Sequence, residues 1–146
     1  MKVSQIGTST LITLVAAALV IGWLDATAAK PILALLGIIL LLFYKLDVYV
    51  TRQHIKFVFG IGLIQRSISL DQVVGVKVVR NSIWSGWGIR VSSAFTLYTV
   101  AGLDAIELTL KGKVRTIRIG TNVPELLSAY INQQLALMRA NQDEAR

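Results

Sequence analysis

The chain is 146 residues long, which allows one compact folded core but is short for two. It contains no cysteine, so disulfides, thiolate metal sites and cysteine nucleophiles are excluded. Apolar residues make up 54% of the chain, with the excess in residues 6–44, and most of the net charge of +7 lies after that segment. This distribution predicts a membrane anchor in residues 1–45, a basic folded domain in residues 46–140 and a frayed tail in residues 141–146.

Two uncharged segments at the start of the chain predict a transmembrane helical hairpin. Residues 6–24 form an uncharged run of 19, close to the roughly 20 that a helix needs to span a bilayer. Residues 31–44 form a run of 14, so a full second span requires Lys30 to reach toward the interface, and a re-entrant segment stays open. Lys and Arg are more frequent beside the hairpin than in its loop, which predicts that both termini face the cytoplasm.

A secretory signal peptide is the alternative for the first segment. Lys2 precedes the apolar run, and residues 26–28 resemble the small residues of a cleavage site. The run is longer than an ordinary signal core, and a second apolar segment follows at once. These two features favour an anchor.

Residues 46–100 predict five short strands, because short alternating runs rich in β-branched residues each end at Gly, Asn or Asp. The predicted strands are residues 46–51, 55–59, 63–70, 74–78 and 97–100. Gly60 and Gly62 predict a turn and not a nucleotide-binding loop, since Gln65 stands where a third glycine would be needed. Residues 81–96 are the least regular part of the sequence.

A sixth and a seventh strand are predicted in residues 105–119. A turn at residues 112–113 would place Leu108 opposite Ile117 and Ile106 opposite Ile119 on one face. The same register sets Glu107 opposite Arg118 on the other face, where opposite charges stabilise the pair.

Residues 122–138 predict an amphipathic helix that covers the end of the sheet. Its apolar residues recur on one face at helical spacing: Leu127, Ile131, Leu135 and Met138. The predicted fold class is therefore membrane-anchored α+β: two N-terminal transmembrane helices, then seven antiparallel strands capped by a C-terminal helix.

Three loose motifs accompany this order of elements. They are Ile-Ser-Leu-Asp-Gln-Val at residues 68–73, Gly-Trp-Gly-Ile-Arg at residues 86–90 and Ala-Gly-Leu-Asp-Ala-Ile-Glu at residues 101–107. With the membrane hairpin, they resemble the bacterial pleckstrin-homology-like families of small membrane proteins, over about residues 44–135. The resemblance implies a seven-stranded pleckstrin-like barrel at the bacterial inner (cytoplasmic) membrane and a non-enzymatic binding or assembly module.

The supply of catalytic groups is poor. The chain has one histidine, His54, which lies beside a predicted turn, and its carboxylates are scattered along the sequence. We therefore predict no enzyme, no cofactor, no metal site and no small-molecule substrate. Nucleic-acid binding is not expected either, because basic and aromatic residues do not share one strand face.

The segment around residue 87 is the first predicted binding surface. Trp84 and Trp87 lie among glycines and are followed by Arg90, a combination that can anchor a protein partner. The alternative is a loop packed against the core, with Arg90 paired to Asp104.

Basic residues supply the second predicted surface. Lys111, Lys113 and Arg115 cluster at the tip of the last hairpin and, with Arg52, predict contact with anionic lipid headgroups. A solvated turn is the alternative for this cluster.

These features lead to one main hypothesis for function, a membrane-anchored module that assembles with itself or with other membrane proteins. The alternatives are a sensor of anionic lipid headgroups at the bilayer surface and an accessory subunit of a membrane enzyme or transporter.

Overall fold

The computed structural model describes residues 1–24, 26–82, 84 and 88–144, without the side chains of residues 24, 26–29 and 143. The first half contains β1 (Lys2–Ile6), α1 (Thr8–Leu24), α2 (Ala26–Phe43), β2 (Lys45–Val50), β3 (His54–Phe59) and β4 (Ile64–Ser69). A 3-10 turn (Leu70–Gln72) leads to β5 (Val73–Arg80), β6 (Gly88–Val91), β7 (Phe95–Thr99), β8 (Asp104–Leu110), β9 (Thr116–Gly120) and α3 (Pro124–Glu144).

The first sheet is an antiparallel meander with the strand order β1-β2-β3-β4. Its inward-facing side chains alternate along the strands, so that Val48 and Phe57 are opposite each other and both are buried. β1 pairs with β2 across the inserted helical hairpin, with Val3 opposite Val48. The first residues of the chain therefore belong to the folded core.

The second sheet has the strand order β5-β8-β9-β7-β6. β8 and β9 pair in the predicted register, with Ile106 opposite Ile119 and Glu107 opposite Arg118, which confirms that prediction. The connection is longer than the predicted two-residue turn, because β8 ends at Leu110 and β9 begins at Thr116. β7 runs parallel to β9 and carries β6 on its outer side.

The predicted seven-stranded antiparallel barrel is wrong. Within the described residues nine strands form two sheets, of four and five strands, and one of the pairings is parallel. The two unpredicted strands, β1 and β6, have only five and four residues. β1 directly precedes a long apolar segment, and β6 lies in the segment that the sequence shows as irregular. A short strand in either context has too little alternation to be recognised.

The predicted pair of transmembrane helices is also wrong. α1 and α2 do form a helical hairpin, but of the described residues no helix combines the length and apolarity that crossing a membrane requires. α1 has 17 residues, about 26 Å of helix against the roughly 30 Å of a hydrocarbon core. α2 has 18 residues, and Lys30 in its second turn leaves only residues 31–43 free of charge. The prediction of a multi-pass protein of the bacterial inner membrane, with both termini cytoplasmic, rested on these spans and is corrected with them.

The core lies between the two sheets and is closed at one side by α3. Phe57 of the first sheet and Tyr98 of the second have ring centroids 4.7 Å apart. Leu127, Ile131 and Leu135 of α3 are buried in the same cluster, which confirms the predicted buried face of this helix. The helix continues to Glu144, and residues 145 and 146 of the predicted frayed tail lie outside the described residues.

The helical hairpin is joined closely to both sheets. The amide of Gly7 donates to the carbonyl of Tyr44 at 2.7 Å, and the Thr10 hydroxyl donates to the carbonyl of Val100 at 2.5 Å. Gly60 has a φ of 48°, and a Cβ there would overlap the carbonyl oxygens of Leu41 and Leu42. Glycine is required at this position because the backbone conformation and the close approach both disfavour a side chain.

Candidate functional site

The helical hairpin presents a large apolar surface, which we call the hairpin surface. It consists of ten large side chains of α1 and α2 that are 38 to 91% exposed: Leu11, Ile12, Val15, Leu19, Val20, Trp23, Ile32, Leu35, Ile38 and Leu41. α1 contains no charged residue, and Lys30 is the single charged residue in the sequence of α2. The hairpin surface is thus apolar over almost its whole length.

The size of the hairpin surface exceeds what monomers usually expose. At these exposures the ten side chains present on the order of 1,000 Å² of apolar area, whereas the largest apolar patch of a typical monomer covers about 300–600 Å². Patches above that range mark interaction surfaces. Contact of this area with water is unfavourable, so its burial supplies free energy for binding.

A shallow groove runs between α1 and α2 and shapes the hairpin surface. Its cavity of 150 Å³ is lined by apolar residues that include Leu14, Ala18, Leu33 and Gly37. A Cβ at Gly37 would meet nothing within 4 Å, so space is open at that point. The groove has the dimensions of an aliphatic side chain and can accept one from outside.

A second apolar cleft lies where the hairpin meets β6. Its cavity of 380 Å³ is lined by Leu14 and Phe43 of the hairpin and by Gly88 and Ile89 of β6, with two threonines of α1 at its edge. The strand that carries Arg90 therefore borders the base of the helical hairpin.

The predicted partner-binding residues near β6 are partly described. Trp84 is 86% exposed, and Arg90 donates through Nη1 to the Trp84 carbonyl at 2.6 Å. Trp87 lies outside the described residues. Arg90 does not make the alternative contact expected from the sequence, since the nearest basic group to Asp104 is Nε of Arg80, at 3.9 Å. Arg90 instead holds the backbone at Trp84, a positioning contact.

The predicted basic residues lie at the end of the molecule away from the hairpin. Arg52, Lys111, Lys113 and Arg115 are all exposed. The turns that carry Arg52 and Lys111 both adjoin the 3-10 turn: the Leu70 amide donates to the Gln53 carbonyl at 2.8 Å, and the Lys111 amide donates to the Gln72 carbonyl at 2.7 Å. Residues far apart in sequence are thereby brought to one end of the two sheets.

Sequence reasoning missed one basic residue at this end, Arg139 of α3. Its Nη2 donates to the Val74 carbonyl at 2.9 Å, which fixes the guanidinium beside β5. The spacing from Leu135 and Met138 places Arg139 at the border of the buried face, and that is the signal from which its position could have been inferred.

Two buried carboxylates elsewhere form ion pairs and hydrogen bonds with neighbouring side chains. Glu107 lies 2.9 Å from Lys77 and 2.6 Å from Arg118. Burial by itself raises the pKa of Glu107, but the hydrogen bonds from Lys77 and Arg118 outweigh it and hold the pKa below its ordinary value. Burial likewise raises the pKa of Asp47, but the hydrogen bonds from Ser4 and Lys45 together lower it by more. The pKa of Asp47 therefore also lies below its ordinary value.

Both buried carboxylates have their oxygens engaged, and His54 is exposed at the start of β3. Within the part of the chain that the structure describes, no group of three His, Asp or Glu side chains is arranged to hold a metal ion. The prominent features are the hairpin surface and the end of the molecule that carries five basic residues, which we call the basic end: Arg52, Lys111, Lys113, Arg115 and Arg139.

Comparison with known proteins identifies no relative. No family model, no curated protein and no solved structure matches this chain. The resemblance to bacterial pleckstrin-homology-like families therefore stays a prediction from motifs.

Proposed function

We propose that this chain is a non-enzymatic assembly module that self-associates through the hairpin surface. The observation that carries the proposal is the exposure of ten large apolar side chains on two adjacent helices. Burial of apolar area on this scale is the main favourable term in association.

The occupant of the hairpin surface is a second copy of the same hairpin. The surface lacks charges along α1 and along residues 31–43, so a matching partner must be equally apolar. Such a surface exists on the chain itself. Isologous pairing of two hairpins buries the same patch on both copies and closes the assembly as a two-fold dimer.

The available area fits a stable dimer. A standard-size complex buries about 800 Å² per partner, and the ten side chains expose an area on the order of 1,000 Å² in total over the faces of both helices. Two hairpins would form a four-helix arrangement in which side chains of one copy enter the groove at Gly37 of the other. Leu19 and Leu35, at 71 and 56% exposure, are available for this contact.

Sedimentation of the full chain over a concentration series tests the proposal. The wild type should show a concentration-dependent dimer, and the double variant Leu19→Gln/Leu35→Gln should dimerise at least about tenfold more weakly, since it places amides in an apolar contact. Gln is a good helix former, so both helices should persist, and circular dichroism checks this.

The matched control is Leu63→Gln/Val114→Gln, which makes the same kind of change outside the hairpin at residues that are 74 and 97% exposed. This variant should dimerise as the wild type does. A wild type that stays monomeric, or an equal loss in both double variants, would overturn the proposal. So would a monomer that floats with neutral phosphatidylcholine vesicles, since lipid would then be the occupant.

A further inference from the structure

A groove follows the C-terminal half of α3 on both sides of the helix, and we call it the α3 groove. On one side a cleft of 660 Å³ separates the helix from the turn at Arg52 and is lined by Tyr130, Leu137 and Met138. On the other side a cleft of 180 Å³ lies between the helix and β5 and includes Lys111. Met138 and Gln142 line both clefts, so the two clefts adjoin along the helix.

The rim of the α3 groove is basic. Arg52 stands on one side, and Lys111 and Arg139 stand on the other. Asp71 is the one acidic residue among the described residues that line the two clefts. Lys113 and Arg115, both exposed on the adjoining turn, extend the positive charge beyond the groove. The positive potential of this rim favours an acidic partner.

The floor of the α3 groove is apolar and carries side-chain amides. Leu137 is 53% exposed, although it lies one residue before the partly buried Met138. Gln134 and Asn141 line the same cleft, one helical turn before and after these residues. Amides of this kind can donate to and accept from a peptide backbone.

The α3 groove is separate from the hairpin surface. β2 begins at Lys45, next to the end of α2, and ends at Val50, next to the turn that carries Arg52. A six-residue strand therefore lies between the base of the hairpin and this rim of the groove. A dimer formed through the hairpin leaves the groove open, and binding there does not depend on self-association.

We infer that the α3 groove binds an acidic, amphipathic peptide segment of another protein. Acidic side chains of the segment pair with Arg52 and Lys111, while its apolar side chains cover Leu137 and Met138. The concave shape and the apolar floor favour a peptide over a planar layer of lipid headgroups, which would reach the rim alone. Tyr130 is the one aromatic residue among the described lining residues, so stacked bases of a nucleic acid have little to bind.

Fluorescence anisotropy with the full chain tests this inference. The probe is a labelled synthetic peptide of alternating Glu and Leu, compared with a Gln-Leu peptide and a Glu-Ser peptide. The Glu-Leu peptide should bind in a salt-dependent manner, and each comparison peptide should bind at least about tenfold more weakly, because one lacks the charge and the other the apolar contact.

Variants locate the binding site. Arg52→Gln/Lys111→Gln and, separately, Leu137→Ser should each weaken binding of the Glu-Leu peptide by about tenfold. Lys56→Gln removes an exposed basic residue of β3 that does not line the groove and should leave binding unchanged. Because the substituted side chains are exposed or half-buried, the far-ultraviolet spectrum should not change.

Four outcomes would overturn the inference. The first is equal weakening by Lys56→Gln, which would indicate general attraction to a basic protein. The second is equal affinity for the Glu-Ser peptide, which would remove the role of the apolar floor. The third and fourth are binding to phosphatidylglycerol vesicles or to single-stranded RNA with no binding of the Glu-Leu peptide, which would assign the basic end to lipid headgroups or to nucleic acid.

Discussion

Arg66 of the first sheet donates through Nη1 to the hydroxyl of Tyr98 in the second sheet at 2.6 Å. Tyr98 is buried, and its ring also contacts Phe57 and Phe59 of the first sheet. One tyrosine thus joins the sheets both by aromatic packing and by a charge-assisted hydrogen bond. This contact helps fix the placement of the first sheet relative to the second.

The contribution of this hydrogen bond can be measured by a double-mutant cycle with Arg66→Ala and Tyr98→Phe. We expect Tyr98→Phe to lower the free energy of unfolding by about 1 kcal/mol, and a coupling energy of about 0.5–1 kcal/mol because Arg66 is exposed to solvent. Urea unfolding of the four proteins gives both values. A coupling energy of zero would show that the hydrogen bond does not stabilise the fold.

The junction between the hairpin and the first sheet depends on Gly60. Gly60→Ala should lower the free energy of unfolding by at least about 2 kcal/mol, because the added Cβ opposes both the positive φ and the carbonyls of Leu41 and Leu42. Gly75→Ala is the matched control, since a Cβ at Gly75 meets nothing within 4 Å. Urea unfolding should separate the two variants, and equal stabilities would contradict the close approach at Gly60.

The free energy of unfolding should fall in acid because the carboxyl of Glu107 becomes protonated there. The pKa of Glu107 in the folded chain lies below its ordinary value of 4.5, so the unfolded chain takes up the proton at a higher pH than the folded chain does. The stabilisation is therefore present above pH 4.5 and is lost as the pH falls through the folded-state pKa. Urea unfolding between neutral pH and pH 3 measures this loss, to which Asp47 adds in the same direction.

The variant Glu107→Gln separates the contribution of Glu107 to the acid dependence of stability from that of Asp47. At neutral pH the variant should lose about 3 kcal/mol, because it leaves the half-buried Arg118 without its charged partner, and its acid dependence should be flatter than that of the wild type. Glu125→Gln, which changes an exposed carboxyl of α3, is the control and should keep the wild-type profile. A Glu107→Gln profile as steep as the wild type would assign the acid dependence to other groups.

The sequence predicted best what is encoded locally. The β8–β9 register follows from alternation within one short segment, so Leu108 and Ile117 could be paired without knowledge of the rest of the chain. The buried face of α3 is defined by spacing within one helix. The parallel pairing of β7 with β9 sets Leu97 beside Arg118 and has no local signature, and the prediction that all strands are antiparallel was wrong there.

Apolarity alone did not determine the role of the first helices. The uncharged, mostly apolar segment over residues 6–24 is compatible with a membrane span and with a protein interface. The prediction of membrane spans could be corrected only once the ends of α1 and α2 were known. The basic end shows the same limit. Arg52 and Lys111 stood out in the sequence as exposed turn residues, whereas Arg139 became part of the site only through its contact with β5.

The hydrogen bond between Ser4 and Asp47, which joins β1 to β2, can be tested through the pKa of Asp47. Ser4 of β1 donates to Oδ1 of Asp47 at 2.5 Å, and Lys45 lies 3.1 Å from Oδ2 of the same carboxylate. Ser4→Ala removes one donor from the charged form while burial is kept, so the pKa of Asp47 should rise. A carboxyl-carbon nuclear magnetic resonance titration measures it directly. Ser67→Ala, on the exposed part of β4, should leave the pKa of Asp47 where it is in the wild type. An unchanged pKa in Ser4→Ala would mean that the Ser4 hydroxyl does not stabilise the charged form of Asp47.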